Sequence, residues 1–121
     1  MKTILILEDE TIMLNLLQKQ LKADGYDVRA AEDGETGLAM MKEIKPDLVL
    51  LDIIMPKKDG FEVLEEKRRD KTIKDIPVII ISNSGQPVEL TRAQSFGVVD
   101  WLIKTEFDPQ EVKVKVKKQI G

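Results

Sequence analysis

Four apolar runs in this chain each end in residues able to do chemistry. Glu8, Asp9 and Glu10 follow Thr3 to Leu7 (TILIL), and Asp52 closes Leu48 to Leu51. Ser82, Asn83 and Ser84 complete the run that starts at Pro77, and Lys104 and Thr105 follow Val99 to Ile103. Each has an ordinary explanation when taken alone. An acid after a strand often serves the next helix N-terminus, a lone Ser marks a turn, and a lone Lys is usually solvated. Asp52 is harder to dismiss. A carboxylate at the end of a buried run is costly unless a cation compensates it, so it needs the lysine, a metal, or both. Clustered carboxylates repel one another at neutral pH, and their hard oxygens suit Mg²⁺ among the metals.

The elements that must position these groups follow from the hydrophobic pattern. Runs such as LVLL and VIII are continuously apolar rather than alternating, the mark of a parallel sheet covered on both faces. Strands are expected at Thr3 to Leu7, Asp27 to Ala31, Asp47 to Asp52, Pro77 to Ser82 and Val99 to Ile103. Helical spacing follows each one. Leu14, Leu17 and Leu21 precede an Asp24-Gly25 stop, and further helices are expected over Gly34 to Ile44, Phe61 to Arg69 and Pro87 to Phe96. Gly97 supplies a left-handed stop, and Asp108-Pro109 supplies a cap and a first-turn proline for a last helix. That helix competes with a strand, because Val112, Val114 and Val116 alternate with lysines. Val112, Val116 and Ile120 also fall at i, i+4, i+8, and the helix is the reading adopted. Five strand–helix units joined by right-handed crossovers make an α/β, doubly wound parallel sheet. In such sheets ligands bind beyond the carboxyl ends of the strands, where all the groups above would converge.

Composition narrows the function. The 121 residues suit one domain, with 42% hydrophobic and 34% charged residues. Nineteen basic against 22 acidic residues leave a formal charge of -3, without the basic stripe of a nucleic-acid surface. Cysteine and histidine are absent, which removes disulfides, thiolate chemistry, the commonest general base and the usual transition-metal ligand. The opening MKTILILEDE is too short and too acidic for a signal peptide, and no segment approaches a membrane span, so a cytoplasmic chain is expected.

The segments ILILEDE, GYDVRAAEDGETGL, PDLVLLDIIMPKKDG, IPVIIIS and VVDWLIKT occur in order across nearly the whole chain. Together they resemble the receiver domain of bacterial two-component response regulators. The resemblance implies a flavodoxin-like sheet with strand order 2-1-3-4-5, residues 1–121 forming one receiver domain. It implies that Asp52 accepts a phosphoryl group from the phosphohistidine of a sensor histidine kinase or phosphotransfer protein. Glu8, Asp9, Asp52 and the backbone carbonyl of Ile54 would hold Mg²⁺. Ser82 would match the switch hydroxyl, Lys104 the lysine that neutralises phosphoryl oxygens, and Trp101 the switch aromatic that signals to a downstream protein. Ile54 and Ser84 would flank the path of the hydrolytic water and set the phosphoryl lifetime.

Some positions depart from the family pattern. Glu8 stands where Asp is commoner, and its longer arm suits an indirect, water-mediated contact, leaving Asp9 as the direct ligand. Lys58 replaces a hydrophobic residue and is expected to point to solvent. Thr105 replaces a proline, so the cis peptide common there loses its basis. Alternatives on the same topology fit less well. An aspartyl-phosphate phosphatase of the haloacid-dehalogenase kind needs a second Asp two residues after the nucleophile, where this chain has Ile54. A flavodoxin-like cofactor site would place phosphate against three acids. A receiver-like interaction module that is never phosphorylated has no missing residue to recommend it. The expectation is a stand-alone regulator or a receiver from a longer protein, acting through protein contacts, with neither DNA nor membrane binding by this domain.

Overall fold

The computed structural model describes residues 1–83, 87–106 and 108–121, with residues 87 and 88 as backbone only. Five strands alternate with five helices: β1 (Thr3–Leu7), α1 (Thr11–Ala23), β2 (Asp27–Ala31), α2 (Gly34–Ile44), β3 (Leu48–Asp52), α3 (Gly60–Arg69), β4 (Val78–Ser82), α4 (Pro87–Ser95), β5 (Asp100–Ile103) and α5 (Pro109–Ile120). All strand pairings are parallel, in the order β2-β1-β3-β4-β5. This is the order expected from the family resemblance. Boundaries move by one residue where Asp47, Pro77 and Val99 stand just outside β3, β4 and β5. Proline has no N–H for a sheet ladder, which accounts for the shift at Pro77.

Alternate strand residues feed two cores. Leu5, Leu7, Val49, Leu51 and Ile80 face α2 and α3, packing with Leu38, Met41 and Phe61. Ile4, Ile6, Leu48, Leu50 and Ile81 face α1 and α5, packing with Leu14, Leu17, Leu21, Val112 and Val116. The ambiguous C-terminal segment is therefore decided by packing. Val112 and Val116 are buried while Val114 is 66% exposed, as the four-residue spacing requires and an alternating strand would not.

Helix starts show where side chains anchor the loops around the site. Asp33 accepts the Thr36 N–H (2.7 Å) at the start of α2, and Asp59 forms a capping box with Glu62 at α3. Asp108 accepts the Gln110 N–H (2.8 Å) beside Pro109. Among the described N-caps, that of α1 is the exception. The residue there, Glu10, makes no side-chain cap hydrogen bond, because its carboxylate is engaged elsewhere.

Candidate functional site

The register brings the carboxyl ends of β1, β3, β4 and β5 together. Asp52 on β3 pairs with Ile81 of β4, and Ser82, the next residue, pairs with Ile103 of β5. Lys104 leaves β5 with its backbone N–H donating to the Ser82 carbonyl at 2.7 Å. Its side chain then turns inward. The Nζ donates to Glu8 Oε1 at 2.5 Å, Glu10 Oε1 at 2.9 Å and Asp52 Oδ2 at 3.0 Å. Lys104, Glu8 and Asp52 are almost wholly buried, at 3%, 2% and 5% side-chain exposure. Glu10 reaches the same ammonium from the rim, with 54% of its side chain exposed.

The charges account for this arrangement. Burial pushes the Glu8 carboxyl up, and neighbouring Asp52 pushes it further, against the pull of Lys104; the result is a rise from 4.5 to about 8. Burial alone would lower the Lys104 ammonium. Its hydrogen bonds to Glu8, Glu10 and Asp52 outweigh that and raise it, so it stays charged.

The loop after β3 is held close against Asp52. The Gly60 N–H donates to the Ile53 carbonyl at 2.7 Å, and a Cβ at Gly60 would stand 2.6 Å from the Asp52 carbonyl oxygen. Only glycine lets α3 start this near the site. Ile54 donates its N–H to Asp52 Oδ1 at 3.4 Å, and its side chain is 71% exposed.

The structure thus brings together Glu8, Asp52, Lys104 and the buried Ser82. Asp9 faces solvent with no hydrogen bond or ion pair among the described residues. Trp101 is half-buried on β5, packed against the core shared with α2 and α3. Ser84 lies outside the described residues. Lys58 differs from expectation. It pairs with Glu66 of α3 at 2.8 Å, while its backbone lies against Gly34 at the start of α2, where a Cβ would collide with the Lys58 carbonyl oxygen. Among the described residues no peptide bond is cis, the Lys104-Thr105 bond included. Sequence reasoning placed Glu10 among the acids after β1 but gave it no role. The available signal was its place two residues after Glu8, which returns its side chain to the same side of the extended chain.

The residues present fit a hard divalent cation. Carboxylate oxygens of Glu8, Glu10 and Asp52 lie within 4.8 Å of one another, and Glu8 Oε2 is buried without a hydrogen-bond partner. A cation would satisfy that oxygen and offset the mutual repulsion. The sign of the pH effect follows from Glu8. Its folded value lies above the unfolded one, so its contribution to stability is full below 4.5 and is lost as pH rises through about 8. A bound divalent cation would favour the ionised carboxylate in place of the protonated one. Saturating Mg²⁺ is therefore expected to raise Tm more at pH 8 than at pH 6, as read from paired thermal melts.

Comparison with known proteins agrees with this geometry. The chain matches the response regulator receiver domain over residues 4–117, and it belongs to that family. It is 38% identical to the DNA-binding dual master transcriptional regulator RpaA of Synechocystis sp., over 97% of this chain and 48% of that protein. It is 36% identical to the alkaline phosphatase synthesis transcriptional regulatory protein PhoP of Bacillus subtilis, over 96% of this chain and 47% of that protein. The chain thus spans about half the length of these curated relatives. A crystal structure of a response regulator from Chloroflexus aurantiacus superposes with a TM-score of 0.89 at 29% identity, covering 97% of this chain and 95% of that one. Two-component signalling by phosphoryl transfer is the general role of this family. Among the described residues, no helix is long and apolar enough to cross a membrane.

Proposed function

We propose that Asp52 is the phosphoacceptor and that its modification switches a protein-interaction surface. The observation that carries this reading is the buried contact of Asp52 with Lys104, shared with Glu8, at the carboxyl edge of a parallel sheet. An Asp52 oxygen attacks the phosphorus of a histidine kinase or phosphotransfer protein's phosphohistidine. An O–P bond forms, the P–N bond breaks, and the imidazole nitrogen leaves with the electron pair. A carboxylate suffices because phosphoryl transfer depends mainly on positioning and charge neutralisation. Bound Mg²⁺ would supply the hard positive charge that neutralises phosphoryl oxygens in this acidic site. Lys104 orients Asp52 beforehand and then donates to a phosphoryl oxygen, while the Ser82 hydroxyl donates to another. Moving Ser82 would free space for Trp101 to turn inward, changing the surface read by a downstream protein. On this reading the domain catalyses only its own phosphorylation and dephosphorylation, acts in the cytoplasm, and contacts neither DNA nor membrane itself. The test is incubation with acetyl phosphate and Mg²⁺ followed by intact mass. A single added phosphoryl group is expected; none would refute the reading.

The metal role divides unequally. Glu8 is already bonded to Lys104, which favours a water-mediated contact, whereas the uncommitted Asp9 carboxylate can turn in as a direct ligand alongside Asp52 and the Ile54 carbonyl. Asp9→Ala is expected to weaken Mg²⁺ binding at least tenfold and Glu8→Ala only a few-fold, on the scale of about 1.4 kcal/mol per factor of ten. Equal losses by calorimetric titration would contradict this.

The phosphoryl lifetime should depend on Ile54. Hydrolysis needs a water in line with the P–O bond on the side away from Asp52. A branched apolar side chain cannot orient that water, and Ser84 could hold one only weakly. Ile54→Asn is expected to speed decay of the phosphoprotein by roughly three- to tenfold, an orientation effect at the low end of those seen for placed polar groups. The check is the decay rate after donor removal at fixed Mg²⁺; an unchanged rate would show that Ile54 does not gate the water.

A further inference from the structure

The ammonium of Lys104 has three protons, and all three are taken, by Glu8, Glu10 and Asp52. An arriving phosphoryl donor therefore cannot gain a hydrogen bond from Lys104 unless one of these carboxylates lets go. The three are not equivalent. Releasing Glu8 would strand a carboxyl group that is almost wholly buried, and releasing Asp52 would loosen the nucleophile as the donor arrives, whereas Glu10 is 54% exposed and passes into water at little cost. Among the described residues no other side-chain contact ties Glu10 down. It stands at the N-cap of α1 without a side-chain cap bond, so its departure leaves the helix start unchanged. An arriving phosphoryl group brings about -1.5 to -2 charges and repels the Glu10 carboxylate directly.

We propose that Glu10 is a positioning residue that occupies the third proton of Lys104 until a phosphoryl group displaces it, and so sets how readily the site accepts an anionic phosphoryl donor. This inference rests on the phosphoacceptor reading of Asp52. The exchange breaks one Lys104–carboxylate hydrogen bond and forms one Lys104–phosphoryl hydrogen bond, with no proton transferred. Glu10 opposes acceptance in two ways: it competes for the ammonium, and its charge lies beside the incoming anion. It also supplies the outer oxygen of the acidic cluster, which makes a supporting role in metal binding the alternative to be separated.

Beryllofluoride, an anionic phosphoryl mimic, separates them without chemistry. Its binding to the full chain at saturating Mg²⁺ is read by fluorine NMR, alongside phosphoryl incorporation from acetyl phosphate by intact mass. Glu10→Gln removes the charge, and Glu10→Ala removes the acceptor as well. Both are expected to bind beryllofluoride about three- to tenfold more tightly than wild type at low salt, and to incorporate phosphoryl faster by a similar factor. The gain should shrink at about 0.5 M salt, where the charge is screened, which a purely steric role would not show. Glu43→Gln makes the same charge change on an exposed residue near the far end of α2 and is expected to behave as wild type. Unchanged or weaker binding in Glu10→Gln, or a gain insensitive to salt, would overturn the proposal; weaker binding would assign Glu10 to the metal instead. A wild-type protein that neither binds beryllofluoride nor takes up phosphoryl would remove the phosphoacceptor reading, and this inference with it.

Discussion

Asp52→Asn is expected to take up no phosphoryl group under conditions in which the wild-type chain takes up one. The amide keeps the volume of the carboxylate and can still accept the Lys104 hydrogen bond through its oxygen, so the buried contact at 3.0 Å survives in altered form. It lacks the anionic oxygen that attacks phosphorus. The substitution should not cost the fold. Asp52 is one of the groups that push the Glu8 carboxyl up, and removing its charge relieves that repulsion. Glu8 and Glu10 remain to pair with Lys104. Intact mass after acetyl phosphate treatment reads the outcome, with circular dichroism verifying the fold. Incorporation equal to wild type would place the acceptor on another residue.

The second large effect falls on stability. Lys104→Met keeps much of the length and apolar stem of the side chain but deletes the one cation among three carboxylates. Breaking a buried ion pair leaves uncompensated charge and costs about 3–5 kcal/mol; a loss near 3 is expected here, since Glu8 can take up a proton. That escape fixes the pH dependence. Without the lysine the Glu8 carboxyl rises further above its ordinary value, so the native state binds more protons than the unfolded one between the two values. The destabilisation should then be smaller at pH 6 than at pH 8 in the absence of Mg²⁺, with added Mg²⁺ recovering part of the loss at pH 8. Urea denaturation of wild type and variant at both pH values measures this. A loss equal at both would mean that Glu8 does not take up the proton.

Periodicity and punctuation were enough to reveal the skeleton. LVLL and VIII are too short and too continuously apolar for surface helices, and Gly97 and Asp108-Pro109 mark helix ends with chemistry that acts locally. These signals are readable because strand burial, capping and turn conformation depend mainly on neighbours in the chain. The same holds for Asp52 and Lys104, whose types conflict with the apolar runs they terminate. Their shared location followed from the general rule for parallel sheets, and the family resemblance assigned them roles.

The C-terminal helix was decided by tertiary structure, because Val112, Val114 and Val116 satisfy two periodicities until the core selects Val112 and Val116. The pairing of Lys58 with Glu66 depended on tertiary packing, since the two lie eight residues apart with the start of α3 between them. The partners of Lys104 depended on tertiary structure most of all. Glu8, Asp9 and Glu10 are consecutive acids; alternation groups Glu8 with Glu10 but names no partner, and the partner of those two lies more than ninety residues away. Chain direction out of β1 and the position of β5 two strands beyond β3 placed Glu8 and Glu10 on the ammonium and left Asp9 in solvent. Local pattern records which residues are costly to bury; only packing determines which charge meets which.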